Sequence, residues 1–241
     1  MIVLFDADSL IFASCYRTRV DGEKPDDIYY RDLEDATDKY SEQFMKIIND
    51  IDEIYDVQSV LTFSGSSGNF RKLITKKYKA NRKKQEKPPL LYPLHKYVKE
   101  TYNSIQGSGL ETDDLVAREW NNLQKKVGRE NVLIVSIDKD YKQFPALIYN
   151  YNKKEVLDLT PEEALYNFYE QMIIGDTADN VNYFYGKGKA FAKKYLKDCK
   201  TKYQYTKKLY ELFLKEHKGK GRQRYIESVS YTHLRAHETD R

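Results

Sequence analysis

The sequence predicts an α/β protein with a mostly parallel central sheet flanked by helices, followed by a helical C-terminal region. Three observations carry this prediction. Short apolar runs rich in β-branched residues alternate with longer segments whose apolar residues recur at helical spacing. Acidic residues directly follow two of the apolar runs. From Gly175 onward the pattern is helical and basic.

The individual elements follow in chain order. The predicted strands are residues 2–5, 59–63, 132–137, 147–151 and 155–159. The predicted helices are residues 33–55, 90–102 and 113–127, and one that begins at Pro161. Thr160 is the expected cap of that last helix, because a Thr-Pro-Glu-Glu sequence places a capping hydroxyl before a proline at the first helical position.

Composition limits the class of protein. The 241 residues are 40% hydrophobic and 32% charged, which suits one domain with a sizeable core, with or without an appendage. No apolar stretch is long enough for a transmembrane helix. The acidic start, with Asp6 and Asp8, argues against a signal peptide. Two distant cysteines, Cys15 and Cys199, indicate a reducing compartment, so we expect a cytoplasmic protein.

Charge is unevenly distributed along the chain. The net charge is +4, but residues 186–224 hold 14 Lys and Arg against three acids, and residues 1–185 carry a net −6. An acidic body joined to a basic end is typical of a metal site beside a polyanion-binding surface. The alternative is a lysine-rich helical face that is simply solvated.

Four groups of acids are the main candidates for function. They are Asp6, then Glu111 with Asp113 and Asp114, then Asp138 with Asp140, then Asp176 with Asp179. Ligands of parallel sheets bind at the carboxyl ends of strands, so we expect these acids to converge there. Carboxylates at close range repel one another unless cations are present, and oxygen ligands suit Mg²⁺ or Mn²⁺. The pattern predicts metal-dependent phosphodiester hydrolysis, although acids at helix starts also serve as caps or complement the helix dipole.

Two basic segments accompany the acids. Gly186 and Gly188 precede a helix in a segment that contains Lys187 and Lys189, a pattern suited to binding phosphate through backbone N–H groups. The alternative is a glycine-rich connector. Residues 76–87 contain seven Lys and Arg with Tyr78 among them, which favours single-stranded nucleic acid. The alternatives there are a solvated lysine helix or a mobile insertion.

Together these segments resemble the 5′-nuclease superfamily of flap endonucleases and 5′→3′ exonucleases, most closely its phage and bacterial-polymerase members. The resemblance spans roughly residues 1–200 in the family's order, and the ordered set of motifs is highly specific. It implies a PIN-like α/β domain over residues 1–160, with a helical arch at about 70–103. A helical DNA-binding region with a helix–hairpin–helix is implied over residues 161–228.

The resemblance also implies roles for individual residues. The implied metal ligands are Asp6, Glu111, Asp113, Asp114, Asp138, Asp140, Asp176 and Asp179. Asp6, Lys79 and Arg82 are implied to be catalytic, the two cations by contacting the scissile phosphate. The implied DNA-binding residues are Arg71, Tyr78, Lys79, Arg82, Lys83, Gly186, Lys187, Gly188 and Lys189. Two Mg²⁺ ions, replaceable by Mn²⁺, and K⁺ at the hairpin are the implied cofactors.

The implied substrate is DNA with a 5′ flap or a free 5′ end, with an RNA–DNA hybrid compatible, as in primer removal during replication or repair. We expect a monomer in the cytoplasm of a bacterium or phage-infected cell, with replication proteins as partners. Ser64 departs from the family, which usually places Asp at that position. A DNA-junction-binding protein without catalysis is therefore a second hypothesis, and an RNA-cutting relative a third, which the Gly186–Gly188 hairpin disfavours.

The last residues do not fit the preceding pattern. Residues 229–241 have no consistent hydrophobic periodicity and resemble a translated sequencing adapter, or alternatively a disordered terminus. We therefore assign no function to His233 or His237.

Overall fold

A computed structural model describes residues 1–24, 26–65, 68–84 and 86–232, and only the backbone of residues 83 and 84. Its centre is a five-stranded sheet formed by β1 (Ile2–Asp6), β2 (Ser59–Phe63), β3 (Val132–Val135), β4 (Leu147–Asn150) and β5 (Glu155–Asp158). The strand order is β2-β1-β3-β4-β5. The first three pairings in that order are parallel, and β5 is antiparallel to β4. The predicted α/β fold with a mostly parallel sheet is confirmed.

Helices surround the sheet and continue beyond it. They are α1 (Asp8–Ser14), α2 (Leu33–Asp52), α3 (Arg71–Ile74), α4 (Leu91–Tyr102), α5 (Thr112–Val127), α6 (Pro161–Ile174), α7 (Lys189–Leu196), α8 (Lys202–His217) and α9 (Gly221–Thr232). The sequence did not predict α1, because seven residues make two turns and are too few for a periodicity to be seen. Within the described residues, no helix has the length and apolar composition needed to cross a bilayer.

Alternation of side chains along the strands produces two cores, one on each face of the sheet. Val3 and Phe5 of β1 pack against α1, α2 and α4, whereas Leu4 faces α5 and contacts the cluster that contains Trp120. Successive side chains of a strand point to opposite faces, so a run that is buried on both sides must be apolar throughout. This explains why β1 and β3 could be recognised from sequence as continuous apolar runs.

The helical C-terminal region has a core of its own. Tyr169, Phe184, Leu209 and Phe213 belong to one buried cluster formed by α6, α7, α8 and the segment before α7. Thr160 caps α6 as predicted, with its hydroxyl accepting the N–H of Glu163 at 3.2 Å. Only Leu159 and Thr160 separate β5 from α6, so this helical region follows the sheet domain closely along the chain.

The predicted bounds of the arch and of the C-terminal tail differ from the structure. The predicted arch at 70–103 includes α4, but Leu94 and Val98 of α4 are fully buried against the sheet, so residues 91–102 belong to the α/β core. The last helix continues four residues past Ser228, and the Tyr231 ring stacks on Tyr78 with centroids 5.6 Å apart. The foreign origin of residues 229–241 remains a prediction, and His233 and His237 lie outside the described residues.

A glycine fixes the turn that follows α6. Gly175 has φ +72°, and a Cβ at this position would lie 2.3 Å from the carbonyl oxygen of Val181. We expect Gly175→Ala to destabilise the protein by ~1–3 kcal/mol through backbone strain, and further through this clash. Thermal unfolding is the measurement. The control is Gly219→Ala, where a Cβ meets nothing within 4 Å. Equal melting temperatures for both variants would contradict the expected strain.

Candidate active site

A cavity of about 550 Å³ opens at the carboxyl edge of the parallel strands. Seven of the eight predicted metal ligands line it: Asp6, Glu111, Asp113, Asp138, Asp140, Asp176 and Asp179. Asp8, which was not among the predicted ligands, lines it as well. Its spacing from Asp6 is the same as that between Asp138 and Asp140, and this repeated pattern was a usable signal in the sequence. Acids that are more than 170 positions apart thus share one cavity.

Neighbouring strands bring the first acids together. Asp6 is the last residue of β1, and its carboxylate accepts a 2.7 Å hydrogen bond from the Tyr141 hydroxyl. Asp138 follows β3, the parallel neighbour of β1, and caps a short 3₁₀ helix by accepting the N–H of Asp140 at 2.9 Å. Because parallel strands end at the same edge, both carboxylates reach the same cavity.

Burial and mutual repulsion raise the pKa values of several of these acids. Burial, reinforced by the charge of Asp8, raises the pKa of Asp6 to about 7. Burial and the neighbouring Asp138 raise the pKa of Asp140 to about 7. The pKa of Asp113 lies well above its usual range, chiefly because of burial and then because of Asp114. Such shifts indicate carboxylates whose negative charge lacks nearby compensation.

Basic side chains already neutralise one side of the cavity. The ion pairs are Lys79 with Glu111, Arg82 with Asp179 at 2.8 Å, and Lys139 with Asp176 at 2.8 Å. Lys79 and Arg82 come from the basic segment between α3 and α4, which therefore lies against the acids. The two cations that the family resemblance assigns to phosphate are thus at the cavity, but they contact carboxylates.

The other side of the cavity carries uncompensated charge. Within the described residues, five of its carboxylates have no Lys or Arg partner: Asp6, Asp8, Asp113, Asp138 and Asp140. Clustered oxygen donors of this kind fit hard divalent cations such as Mg²⁺. No three Asp, Glu, His or Cys side chains in the described part of the chain are close enough to hold one ion as they stand. Direct ligation of one ion by three of these side chains therefore requires them to rotate toward one another.

Asp114 and Arg71 differ from their predicted roles. The Arg71 guanidinium forms two hydrogen bonds with Asp114, at 2.7 and 2.8 Å, and the side chains are 1% and 0% exposed. Asp114 is therefore not available to a metal in the cavity, and Arg71 is not available to DNA. Both predictions are wrong for the same reason, which is that the two charges satisfy each other inside the protein.

Tyr78 and Lys83 also belong to the predicted DNA-binding set. Tyr78 is 4% exposed, and its hydroxyl lies 2.7 Å from Glu111 and 2.8 Å from Asp179, so its ring is not available to stack on a base. The prediction for Tyr78 is wrong in this conformation of the basic segment. The side chain of Lys83 lies outside the described residues.

Of the predicted helix–hairpin–helix, the described residues show the glycine-containing turn and the helix that follows it, α7. Gly186 has φ +74°, and Gly188 precedes α7, whose N-terminus has no side-chain cap. Lys189 is exposed, whereas the Lys187 ammonium lies 3.5 Å from Glu216 and over the Phe191 ring. Asp176 and Asp179 occupy a turn closed by hydrogen bonds between Asp176 and Val181. Both acids therefore lie in the connection between α6 and α7 and not on a helix.

A second cavity, of about 850 Å³, adjoins the first and shares Asp8, Phe12 and Arg82 with it. Its wall includes the rings of Phe12, Tyr16 and Tyr30, with successive centroids 5.1 and 5.3 Å apart. Lys87 lies at the same cavity. Aromatic rings beside cations suit planar bases joined to phosphates.

Ser64 is inaccessible at the end of β2. Its side chain is 0% exposed, and its hydroxyl lies 2.5 Å from that of Ser104. This position therefore presents no charge to the cavity. The family's usual carboxylate is absent here, and nothing at residue 64 takes its place.

Fold and cavity together define a class: α/β proteins with a carboxylate site suited to divalent cations at the carboxyl edge of a parallel sheet. Residues 1–170 match the model of the 5′–3′ exonuclease N-terminal resolvase-like domain, and the chain belongs to this family. The predicted resemblance to the 5′-nuclease superfamily is confirmed.

Individual relatives agree with this assignment. A 5′–3′ exonuclease of Buchnera aphidicola subsp. Schizaphis graminum is 34% identical over 138 aligned positions, and the match covers 51% of this chain and 46% of that protein. The chain thus matches about half the length of this curated relative. The bacteriophage T5 flap endonuclease, crystallised as a pseudo-enzyme–product complex with DNA and metal ions, superposes with a TM-score of 0.68 at 14% identity, over 97% of this chain and 89% of that one.

The T5 5′-exonuclease with bound zinc ions also superposes with a TM-score of 0.68, at 15% identity and the same coverage of both chains. At such identities the likeness to these solved structures establishes the fold.

Proposed function

We propose that this chain hydrolyses DNA phosphodiester bonds near a free 5′ end or at a 5′ flap. The observation that carries the proposal is the convergence of carboxylates from four distant segments in one cavity, beside a basic segment. Membership of the 5′–3′ exonuclease family supports the reaction. The T5 flap endonuclease, a relative in fold, was crystallised with DNA and metal ions, which supports the substrate class.

The proposed cofactors are two Mg²⁺ ions, for which Mn²⁺ substitutes. Asp6, Asp113, Asp138 and Asp140 are the proposed holders, since they lack Lys or Arg partners among the described residues. Glu111, Asp176 and Asp179 join them if their present cationic partners move. Such ions supply an activated water and stabilise the leaving oxygen. Asp114 is excluded from this set by its buried pairing with Arg71.

Lys79 and Arg82 are the proposed phosphate-binding side chains. Both lie at the cavity, and both are bound to carboxylates, so their charges are held at the place where a phosphate would enter. A phosphate is an anion of similar hydrogen-bonding geometry, and arginine binds either kind of group through parallel N–H bonds. We propose that substrate entry exchanges these carboxylate contacts for phosphate contacts.

The remaining surfaces fit the two parts of a flap substrate. The aromatic cavity around Phe12, Tyr16 and Tyr30 suits the single-stranded 5′ end, whose bases are exposed. The uncapped N-terminus of α7, with Gly186, Gly188 and exposed Lys189, suits the phosphates of the duplex backbone. K⁺ is the proposed ion of the preceding hairpin. Contacts with DNA phosphates do not depend on the nucleotide sequence, and they weaken steeply as salt is added.

The proposed setting is replication or repair in the cytoplasm of a bacterium or phage-infected cell, with the chain acting as a monomer. RNA hybridised to DNA is a compatible substrate, because a primer also presents a 5′ end on a duplex. Contacts with replication proteins are part of the same proposal.

The test is cleavage of a labelled 5′-flap duplex. We expect product with Mg²⁺ or Mn²⁺ and none with EDTA, because the uncompensated acids repel phosphate in the absence of cations. A 3′-flap duplex of the same sequence is the control substrate, and it should be cleaved more slowly. Product formation that is equal with and without EDTA would rule out the metal-dependent mechanism.

The second candidate function is DNA-junction binding without catalysis. The buried Ser64 favours it, because one carboxylate usual in the family is missing. Flap binding retained with no cleavage under either Mg²⁺ or Mn²⁺ would select this alternative over hydrolysis.

A further inference from the structure

Asp8 lies where the two cavities meet, as the first residue of α1 and two positions past the end of β1. Its side chain is 42% exposed, and both cavities include it in their walls. Its backbone N–H donates to the Asp6 carboxylate at 3.2 Å, so the two acids are held close together.

The Asp8 carboxylate is attached to the strand end that carries Ser64. Its Oδ1 atom accepts the backbone N–H of Gly65 at 2.7 Å, and its Oδ2 atom accepts the Thr112 hydroxyl at 2.7 Å. The side chain therefore bridges the end of β2 and the start of α5. This places a negative charge beside residue 64, the position where the family usually has Asp.

The charge of Asp8 is not neutralised by a strong cation. Within the described part of the chain, its closest basic group is the His95 imidazole, with Nδ1 4.0 Å from Oδ1. Glu111, Asp176 and Asp179, in contrast, each pair with Lys or Arg. Each Asp8 oxygen accepts one hydrogen bond and retains further lone pairs for a cation or its bound water.

We propose that Asp8 supplies to the metal site the carboxylate that is missing at Ser64. The proposal rests on the proposed metal-dependent function and identifies an additional residue of that site. Replacement of a carboxylate at residue 64 by that of Asp8 is physically reasonable because the two residues follow adjacent parallel strands, β2 and β1. In the pairing of these strands, Asp6 lies beside Phe63. The two strand ends therefore lie at the same edge of the sheet.

Asp8→Asn tests the proposal through metal binding, independently of cleavage. Asparagine retains an acceptor for the Gly65 N–H, and its amide can donate to the Thr112 hydroxyl, so mainly the charge is lost. We expect Mn²⁺ binding, followed by calorimetry and by electron paramagnetic resonance, to weaken by roughly tenfold or more. The control is Asp38→Asn, which removes the same charge from an exposed residue of α2.

Adding Ser64→Asp to the Asp8→Asn variant tests whether a carboxylate at residue 64 can replace that of Asp8. Recovery of Mn²⁺ affinity supports the proposal, because a general structural role of Asp8 would not be restored by a carboxylate on another strand. Affinity of Asp8→Asn equal to that of the control overturns it. The proposal is also overturned if the double variant has a native circular dichroism spectrum but its Mn²⁺ affinity does not recover. If the wild-type chain binds Mn²⁺ through Asp8 but cleaves no DNA, the proposed hydrolysis fails while this inference stands.

Discussion

Asp138→Asn is expected to reduce Mg²⁺-dependent cleavage of a 5′-flap substrate by ~100-fold or more, because it removes a carboxylate from the uncompensated side of the cavity. Asparagine still offers an oxygen to the N–H of Asp140, a bond of 2.9 Å that caps the following 3₁₀ helix. The fold should therefore remain intact. The measurement is the single-turnover cleavage rate at saturating enzyme, with the melting temperature recorded for each variant.

Binding of the same substrate separates catalysis from affinity. Removing one negative charge reduces repulsion of the DNA phosphates, so Asp138→Asn should bind the flap in EDTA at least as tightly as the wild type. Asp38→Asn, on the exposed face of α2, is the matched control and should cleave normally. An Asp138→Asn variant with the wild-type cleavage rate would remove this residue from the proposed metal site.

Arg71→Ala is expected to lower the free energy of unfolding by ~3–5 kcal/mol, because it leaves the Asp114 carboxylate buried without its charge partner. The two side chains are almost completely inaccessible and share two hydrogen bonds, so solvent does not compensate for the loss. Arg71 also contacts Glu111 at 3.0 Å, and this contact would be lost as well. Urea denaturation followed by circular dichroism measures the change.

Two further variants show whether loss of the Arg71–Asp114 pair is responsible for the lower free energy of unfolding. Arg118→Ala removes an exposed arginine from α5, the helix that carries Asp114, and should change stability little. Arg71→Met combined with Asp114→Leu removes both charges and should be less destabilising than Arg71→Ala alone. Similar unfolding free energies for Arg71→Ala and Arg118→Ala would show that the buried pair contributes nothing to stability.

The position of the basic segment has a consequence for substrate entry. Lys79 and Arg82 contact Glu111 and Asp179, whereas Arg71, in α3 just before the segment, is held by its buried pair with Asp114. The Arg71–Asp114 pair is inaccessible, and the contacts nearer the cavity are partly exposed. Rearrangement on substrate binding is therefore expected at Lys79 and Arg82, with Arg71 remaining in place.

The strands and most helices could be predicted because their signals are local. The run IVLF is buried on both faces of the sheet as β1, and the Thr-Pro-Glu-Glu sequence forms the capped start of α6. Membership of the 5′-nuclease superfamily was predicted from the order of short motifs, and the family match over residues 1–170 confirms it. Such patterns depend on residues within a few positions of one another, or on their order along the chain.

Local sequence was thus sufficient for the fold class, the family and seven of the eight acids that line the cavity. The three-dimensional arrangement was required to assign partners: Arg71 pairs with Asp114, Tyr78 is buried, and Asp8 reaches the backbone of Gly65. The physical reason is that a charged or aromatic residue has the same local signature whether it faces solvent, a metal or another side chain. Which of these it meets depends on residues about 40 to 100 positions away, and only packing of the sheet, α5 and the basic segment brings them into contact.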